Sequence, residues 1–294
     1  MLLLLLEEIY PLNQRQTNHL LGYPADARLL IINADDFGMC HAVNDAIIRA
    51  LPQGLLRSTT LMTPCPWGLH AMHFLAQHPE FAFGVHLTAL AEWADYRWGP
   101  LTPKEKVPSL VDKAGYFYNF AQMPEFLAQV QLAELEIEFR AQIETLLAAE
   151  LKPTHLDWHA LRLDRRPDIG ELMLQLAKEY GLALRVRGRA WTEHVQSQGL
   201  PAIDYDFLDS YGLDLADKAA QYAQLLRELP AGLSEWAVHP GLNNAELLAI
   251  EGDSKHVRQN DFDFLMAPAA QEIIQAEGII LLDYRPLQVL WRNA

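Results

Sequence analysis

Two adjacent carboxylates, Asp35 and Asp36, follow the apolar run RLLIINA at residues 28–34. A buried strand that ends in two acidic residues places both charges at its carboxyl end, where parallel α/β folds gather their active-site groups. Because adjacent strand residues point to opposite faces unless the strand bends, we expect the pair to divide two tasks, metal binding and general-base catalysis. The competing interpretation is that Asp36 only caps the following helix or its loop.

Histidines end three other strand-like runs. His86 ends FAFGVHL, His159 ends THLDWH, and His239 ends SEWAVHP. Within THLDWH the side chains of His155, Asp157 and His159 alternate and therefore share one face. Two imidazoles and one carboxylate, with positions left open for water and substrate, make a catalytic site for one divalent cation. Taken alone, a histidine such as His86 is more often a hydrogen-bonded structural residue.

Two further residues are candidates for support of such a site. Arg185 lies in the run LALRVRG. Its guanidinium could orient Asp35 and keep it ionised, or it could form a salt bridge at the rim of the fold, and the residues favour neither interpretation. Asp157, or a backbone carbonyl, could hold one of the histidines in the required tautomer.

These groups must be positioned by alternating strands and helices. The strand-like runs are residues 28–34, 58–64, 81–87, 154–158, 182–188, 234–240 and 278–284, with an eighth candidate at 202–208. The longest helical pattern runs over 124–151. The alternation predicts one α/β domain over residues 28–294, an irregular (β/α) TIM-like barrel of seven or eight strands. An open doubly wound sheet is the alternative.

Two stretches interrupt this alternation, residues 88–120 and 189–212. Long ordered loops are usually lids or binding walls. Aromatic rings in the first stretch, Trp93, Tyr96 and Trp98, could stack on a sugar and wall the substrate site. Their alternative role is packing within the lid.

Residues 1–27 precede the first predicted strand. The run MLLLLL lacks the positive region of a signal peptide and stops at Glu7 and Glu8. We therefore expect an extension that packs locally or against a partner subunit, which leaves a homodimer open.

The chain is strongly acidic, with 23 Lys and Arg residues, 38 Asp and Glu residues and a net charge of −15. Such a surface repels phosphate backbones and anionic lipids, which argues against nucleic-acid and membrane partners. The two cysteines, Cys40 and Cys65, indicate inert thiols and predict a cytoplasmic protein.

Taken together, the chain resembles the YdjC/ChbG family of carbohydrate deacetylases. The motifs that carry the resemblance are NADDFG (33–38), STT (58–60), GVHL (84–87), PTHLDWH (153–159), LALR (182–185) and HPG (239–241). One feature departs from the family pattern. Further histidines often follow HLDxH in the family, whereas Ala160 and Leu161 stand here, so the wall beside the metal differs.

The resemblance implies a (β/α) barrel-like fold and hydrolysis of the acetyl group of an N-acetylated sugar, such as a chito-oligosaccharide or a related amino sugar, with one divalent cation. It implies Asp36, His86 and His159 as the metal ligands, Asp35 as the catalytic base and His239 as the candidate acid. Zn²⁺ and Mg²⁺ are the favoured cations, and Mn²⁺ and Co²⁺ also suit such ligands.

Two alternatives stay open. One is another metal-dependent barrel hydrolase, either a phosphoesterase or a cyclic-amide hydrolase; a phosphoesterase would want more basic residues at the mouth, or two metals. The other is a sugar-binding protein without turnover, against which the presence of both Asp35 and His239 argues.

Overall fold

Eight parallel strands curl into a half-barrel in the computed structural model, which describes residues 16–252 and 255–293. The strands are β1 Arg28–Phe37, β2 Ser58–Leu61, β3 Ala82–Leu87, β4 His155–Trp158, β5 Ala183–Leu184, β6 Leu208–Asp209, β7 Gly232–Val238 and β8 Ile280–Leu282. The order is β5-β4-β3-β2-β1-β7-β6, and β8 also pairs with β1. Every strand pair is parallel. The predicted TIM-like α/β domain is confirmed.

Helices connect the strands and cover the outside of the half-barrel. They are α1 Gln16–Leu20, α2 His41–Ala50, α3 Gly68–Gln77, α4 Met123–Gln129, α5 Leu132–Ala148, α6 Pro167–Tyr180, α7 Arg189–Gln196, α8 Lys218–Arg227, α9 Ala245–Glu251, α10 Lys255–Met266, α11 Pro268–Ala276 and α12 Arg285–Trp291. Within the described residues, no helix combines the length and the apolar content of a membrane span.

Two sequence predictions about the connections need correction. The helix predicted over 124–151 is two helices, because Val130 (φ −55°, ψ 125°) leaves the helical conformation and buries its side chain. The stretch 189–212 is less irregular than expected, since it contains α7 and β6. Of the predicted extension 1–27, residues 1–15 lie outside the described residues, while Thr17 on α1 donates a hydrogen bond of 2.5 Å to the Ala202 carbonyl.

The hydrophobic core is built around the central strand β1. Its residues Leu29, Leu30, Ile31 and Ile32 are fully buried, as expected for a parallel strand covered on both faces. Along its length β1 pairs with β7, and on its other side it pairs first with β8 and then with β2. Because β1 is buried and paired along both edges, its carboxyl end is held in place within the half-barrel.

A bend at the end of β1 brings the two adjacent carboxylates to the same pocket. The register with β2 shifts between Ala34 and Phe37, and Asp36 has a left-handed backbone with φ 69°. That conformation is costly for a residue other than glycine and is retained where the surrounding structure enforces it. Because the backbone turns there, Asp35 and Asp36 both line one pocket instead of pointing to opposite faces.

The turn after β1 is held by close backbone packing. Gly38 has φ 102°, and a Cβ atom there would lie 3.0 Å from the Cα atom of Gly68. The Gly38 amide donates a 2.7 Å hydrogen bond to Asn44 Oδ1. Helix α2 begins after Cys40, which is its N-cap residue. Asp36 is therefore not the N-cap residue of this helix.

Candidate active site

A pocket of about 280 Å³ opens at the carboxyl ends of the strands. It contains every residue that the sequence assigned to catalysis or metal binding, together with several that it did not. The lining residues are Asp35, Asp36, His86, Glu92, Phe120, Trp158, His159, Ala160, Leu161, Arg162, Arg185, Arg187, Phe207, Asp209, Tyr211, Ala237 and His239.

Asp36, His86 and His159 form a buried three-residue cluster. Asp36 Oδ1 lies 3.3 Å from Nε2 of His86 and 3.3 Å from Nδ1 of His159. Neither contact has hydrogen-bond geometry, and Asp36 Oδ1 is a buried oxygen without a hydrogen-bond partner. An unpartnered buried carboxylate oxygen is costly, so the arrangement is suited to a cation that all three side chains could bind.

Each imidazole of this cluster has a carboxylate on its far side. His86 Nδ1 lies 2.7 Å from Asp157 Oδ1, and His159 Nε2 lies 3.3 Å from Glu92 Oε1. A carboxylate behind a histidine fixes the ring tautomer and leaves the other nitrogen for a metal. Burial opposes protonation of His86, but the charge and hydrogen bond of Asp157, together with Asp36 and Asp35, outweigh it and raise the pKa of the imidazole to about 10. The same negative charge would attract a cation.

The second oxygen of Asp36 is taken by an arginine. Arg258, from α10, is fully buried and places NH2 2.9 Å from Asp36 Oδ2, while its Nε donates to Glu251. Burial alone would raise the pKa of Asp36, but the charge of Arg258 and the contacts with the two imidazoles hold it well below its usual value. Asp36 is therefore ionised, with Oδ1 alone directed at the histidines.

Asp35 sits in a different environment. Arg185 donates to both of its oxygens, from NH1 at 2.7 Å and from NH2 at 2.8 Å, and Asn33 Nδ2 donates to Oδ1 at 2.8 Å. Burial would raise the pKa of Asp35, but the charge and hydrogen bonds of Arg185 lower it far below its usual value. Arg185 is only 2% exposed, so it orients Asp35 inside the half-barrel instead of forming a salt bridge at an exposed rim.

His239, at the end of β7, is held beside Asp35. Its Nε2 lies 3.9 Å from Asp35 Oδ2, and its Nδ1 lies 2.8 Å from the Ser210 hydroxyl. The His239 backbone amide donates to Asp261 Oδ2 at 2.8 Å, and Asp261 also pairs with the buried amine of Lys218 at 2.5 Å. Both the ring and the backbone of His239 are therefore fixed from outside the pocket.

The aromatic wall of the pocket differs from the one that the sequence predicted. Trp93, Tyr96 and Trp98 are not among its lining residues. Trp98 is 3% exposed and packs edge-on against His159 with ring centroids 6.0 Å apart, and the Tyr96 hydroxyl donates to the Met39 carbonyl. The three rings thus form packing behind the site. Instead, the aromatic residues that line the pocket are Phe120, Trp158, Phe207 and Tyr211.

Glu92 and Arg258 are among the charged residues that could not be assigned to the site from the sequence. Glu92 lies in the long stretch after β3, where only its closeness to His86 in the chain could have drawn attention to it. Burial, together with the negative charge of Asp36, raises the pKa of Glu92 well above its usual value. Arg258 lies on a helix more than 200 residues from Asp36, and no local pattern marks it.

The buried acidic groups of the site fit a metal cation. Two buried guanidinium groups, those of Arg185 and Arg258, lie among a larger set of buried carboxyl groups. These are Asp35, Asp36, Glu92, Asp157, Glu235 and Glu251. Burial and the neighbouring acids raise the pKa values of Glu92 and Glu235, and a bound cation would relieve the repulsion among these carboxyl groups. The excess of acid and the unpartnered Asp36 Oδ1 agree with the ligand set that the sequence indicated.

This parallel α/β half-barrel gathers buried carboxylates and imidazoles at the carboxyl ends of its strands. Enzymes with (β/α) barrel folds have their active sites at that end. The model of the YdjC-like protein family matches residues 29–276, and the chain belongs to that family. Relatives named carbohydrate deacetylase include one from Enterococcus faecalis, 32% identical over 270 residues (88% of this chain, 97% of the relative), and one from Brevibacillus brevis, 35% identical over 260 residues (88% and 99%).

A solved structure gives the same result for the fold. A crystal structure from Enterococcus faecalis, described as a candidate cellobiose-phosphate cleavage protein, aligns with a TM-score of 0.76 and 31% identity over 89% of this chain and 99% of its own. The resemblance stated from the sequence is confirmed. The enzyme class that it implied, a deacetylase hydrolase, is confirmed with it.

Proposed function

We propose that the protein hydrolyses the acetamide of an N-acetylated sugar, a chito-oligosaccharide or related amino sugar, with one divalent cation held by Asp36, His86 and His159. The observation that carries this proposal is the unpartnered Asp36 Oδ1 between two imidazole nitrogens, directly beside the Arg185-bound carboxylate of Asp35. The relatives named carbohydrate deacetylase support the sugar substrate. Residues 28–294 would form the catalytic domain.

An acetamide is a poor electrophile, so its hydrolysis needs activation of both the carbonyl and the water. A divalent cation on the three ligands would polarise the carbonyl and make a bound water more acidic. Asp35 would act as the general base that takes a proton from the attacking water. Its bonds to Arg185 keep it ionised and fix the positions of both oxygens.

The sugar amine must leave with a proton, and His239 is placed to supply it. The Ser210 hydroxyl lies against Nδ1, which leaves Nε2, the nitrogen near Asp35, facing the pocket. As the acid, the ring would donate from Nε2 in its imidazolium form and become neutral. In this assignment the new C–O bond forms as Asp35 takes the water proton. The C–N bond then breaks as His239 gives its proton to the nitrogen. The proton on Asp35 can afterwards return to His239 across the short gap between them.

The sugar ring would lie against the aromatic wall of the pocket. Phe120 and Tyr211 line the pocket and are 47% and 40% exposed, so both rings are accessible to a ligand. Sugar rings stack on such aromatic faces. Trp98, which the sequence assigned to the substrate, would instead support the ring of His159.

The described residues argue against a second metal, which a phosphoesterase would favour. A second acidic group, Asp35, His86 and Asp157, lies close enough to hold an ion. However, Arg185 already pairs with Asp35 and Asp157, at 2.7 Å and 2.8 Å. A guanidinium in that position repels a cation, so one cation on Asp36 suits the charges better.

The test is acetate release from N-acetylglucosamine oligomers by the purified protein, before and after treatment with a chelator. We expect release that stops on chelation and returns when Zn²⁺, Mg²⁺, Mn²⁺ or Co²⁺ is added back. His86→Ala should abolish both activity and metal uptake. His73→Ala, a change of the same kind at an exposed residue of α3, is the matched control and should behave as wild type. Acetate release that resists complete metal removal would contradict the proposal.

A further inference from the structure

We propose that Tyr284 and Glu235 are positioning residues that fix the guanidinium of Arg185 and, through it, the carboxylate of Asp35. The role of Asp35 in this inference rests on the proposed function. The four residues form one continuous chain of hydrogen bonds inside the half-barrel, running from the end of β8 to the pocket.

Tyr284 begins the chain at a fully enclosed position. It is 1% exposed, and its ring stacks on the imidazole of His155 with centroids 3.6 Å apart and planes inclined by 8°. Its hydroxyl donates a 2.6 Å hydrogen bond to Glu235 Oε2. Stacking holds the ring in place, and its hydroxyl donates toward Glu235.

Glu235 passes this constraint to Arg185. Its other oxygen, Oε1, accepts a 2.8 Å hydrogen bond from Arg185 Nε, and the residue is 1% exposed. The opposite edge of the guanidinium forms the two bonds to Asp35, and NH1 also pairs with Asp157 Oδ2 at 2.8 Å. A planar group bonded along both edges cannot rotate without breaking several bonds.

The backbone around Arg185 provides little of this constraint by itself. Arg185 follows β5, which is only two residues long and lies at one end of the strand order. A long arginine side chain has many rotamers, and ordering it costs conformational entropy. One face of the guanidinium lies 5.2 Å from the Phe207 ring centroid, which restrains tilt but not rotation in the plane. Rotation in the plane is restrained by Glu235 and Asp35.

Burying a carboxylate as deeply as that of Glu235 costs folding free energy unless the group is paired or hydrogen-bonded. Glu235 does not line the pocket and so does not reach the substrate. Burial outweighs the opposing effects of Arg185 and Tyr284 and raises the pKa of Glu235 above its usual value. Glu235 is hydrogen-bonded to Tyr284 and to Arg185. Through Arg185 it affects the orientation of Asp35, and this is its link to the reaction.

The first measurement reads Arg185 directly. In protein labelled with ¹⁵N-arginine, the Nε–H signal of Arg185 is assigned by its loss in Arg185→Lys, and its exchange with solvent is measured. We expect exchange to quicken by ~10-fold or more in Tyr284→Phe and Glu235→Gln, since each removes an anchor of a buried group. Tyr205→Phe is the matched control, because it removes a buried hydroxyl that donates to the Ala231 carbonyl instead.

The second measurement is steady-state acetate release by folded enzyme at saturating metal. Tyr284→Phe should lower kcat by ~10-fold, with KM and bound metal unchanged, as expected for an outer partner of a catalytic group. Since Tyr284 acts through Glu235, the double variant with Glu235→Gln should have the kcat of Glu235→Gln alone. A purely structural role would lower Tm in Tyr284→Phe and Tyr205→Phe alike and leave kcat per folded molecule unchanged.

The outcomes separate this inference from the proposed function. Unchanged Nε–H exchange in Tyr284→Phe overturns the inference, and so does faster exchange with unchanged kcat. Strictly additive losses of kcat in the double variant also overturn it. If the wild-type protein releases no acetate, the proposed function fails. The exchange measurement still decides whether Tyr284 and Glu235 fix Arg185.

Discussion

Replacing each of the two adjacent aspartates by asparagine should produce two different defects. Asp35→Asn keeps the size of the side chain and one oxygen that can accept from Arg185, but it removes the ability to take a proton. Loss of a general base lowers kcat by ~10²–10⁴-fold, equivalent to about 3–5 kcal/mol in the activation free energy. Metal binding should be nearly unchanged, because Asp35 is not in the Asp36 cluster.

The cost to folding should be smaller than the cost to catalysis. Removing one partner of a buried ion pair destabilises a protein by ~3–5 kcal/mol when the other charge is left unpaired. Arg185 keeps Glu235 and Asp157, each at 2.8 Å. We therefore expect a loss of about 1–2 kcal/mol, well within the ~5–15 kcal/mol by which domains are usually stable. The variant should be folded at 25 °C.

Asp36→Asn should fail at metal binding. The change weakens the oxygen that faces the two imidazoles and the pair with Arg258. The metal dissociation constant should rise by more than ~10-fold, as for other damaged metal sites, and excess metal should partly restore kcat. Calorimetric metal titration and acetate release measure the two effects. Asp45→Asn, the same chemical change in the ion pair of α2, is the control.

If Asp35→Asn loses the metal while Asp36→Asn keeps it, the two roles are exchanged. If both variants turn over substrate like the control, the chemistry lies elsewhere and the bend at the end of β1 has another purpose.

Three further predictions follow from the same site. His86→Ala and His159→Ala should each lose the roughly one divalent ion per chain expected for a three-ligand site without unfolding; unchanged metal content by elemental analysis would disprove the ligand set. Phe120→Ala combined with Tyr211→Ala should raise KM by about thirtyfold, taking ~1 kcal/mol per exposed ring, whereas a fall in kcat alone would exclude a stacking role. Gly84→Ala should lower the free energy of unfolding in urea by ~1–3 kcal/mol, because its Cβ would lie 2.6 Å from the His155 carbonyl oxygen; an unchanged value would show that β3 and β4 can separate locally.

Much of this arrangement could be predicted from the chain alone. Apolar runs that end in Asp35, His86, His159 and His239 are local patterns, and the rule that parallel strands share one carboxyl edge brings their ends together. The motif resemblance then added roles to those positions. Localisation in the cytoplasm and a homodimer stay predictions.

The tertiary structure decided what the local patterns do not encode. Whether neighbouring carboxylates face one pocket depended on the left-handed backbone of Asp36, which packing around β1 enforces. The charges that surround the site come from distant elements, as when Arg258 on α10 takes one oxygen of Asp36 and Tyr284 after β8 reaches Glu235 on β7. Strand periodicity reports only whether a side chain faces inward; which side chains meet there depends on contacts between residues far apart in the chain, and those form only when the sheet curls.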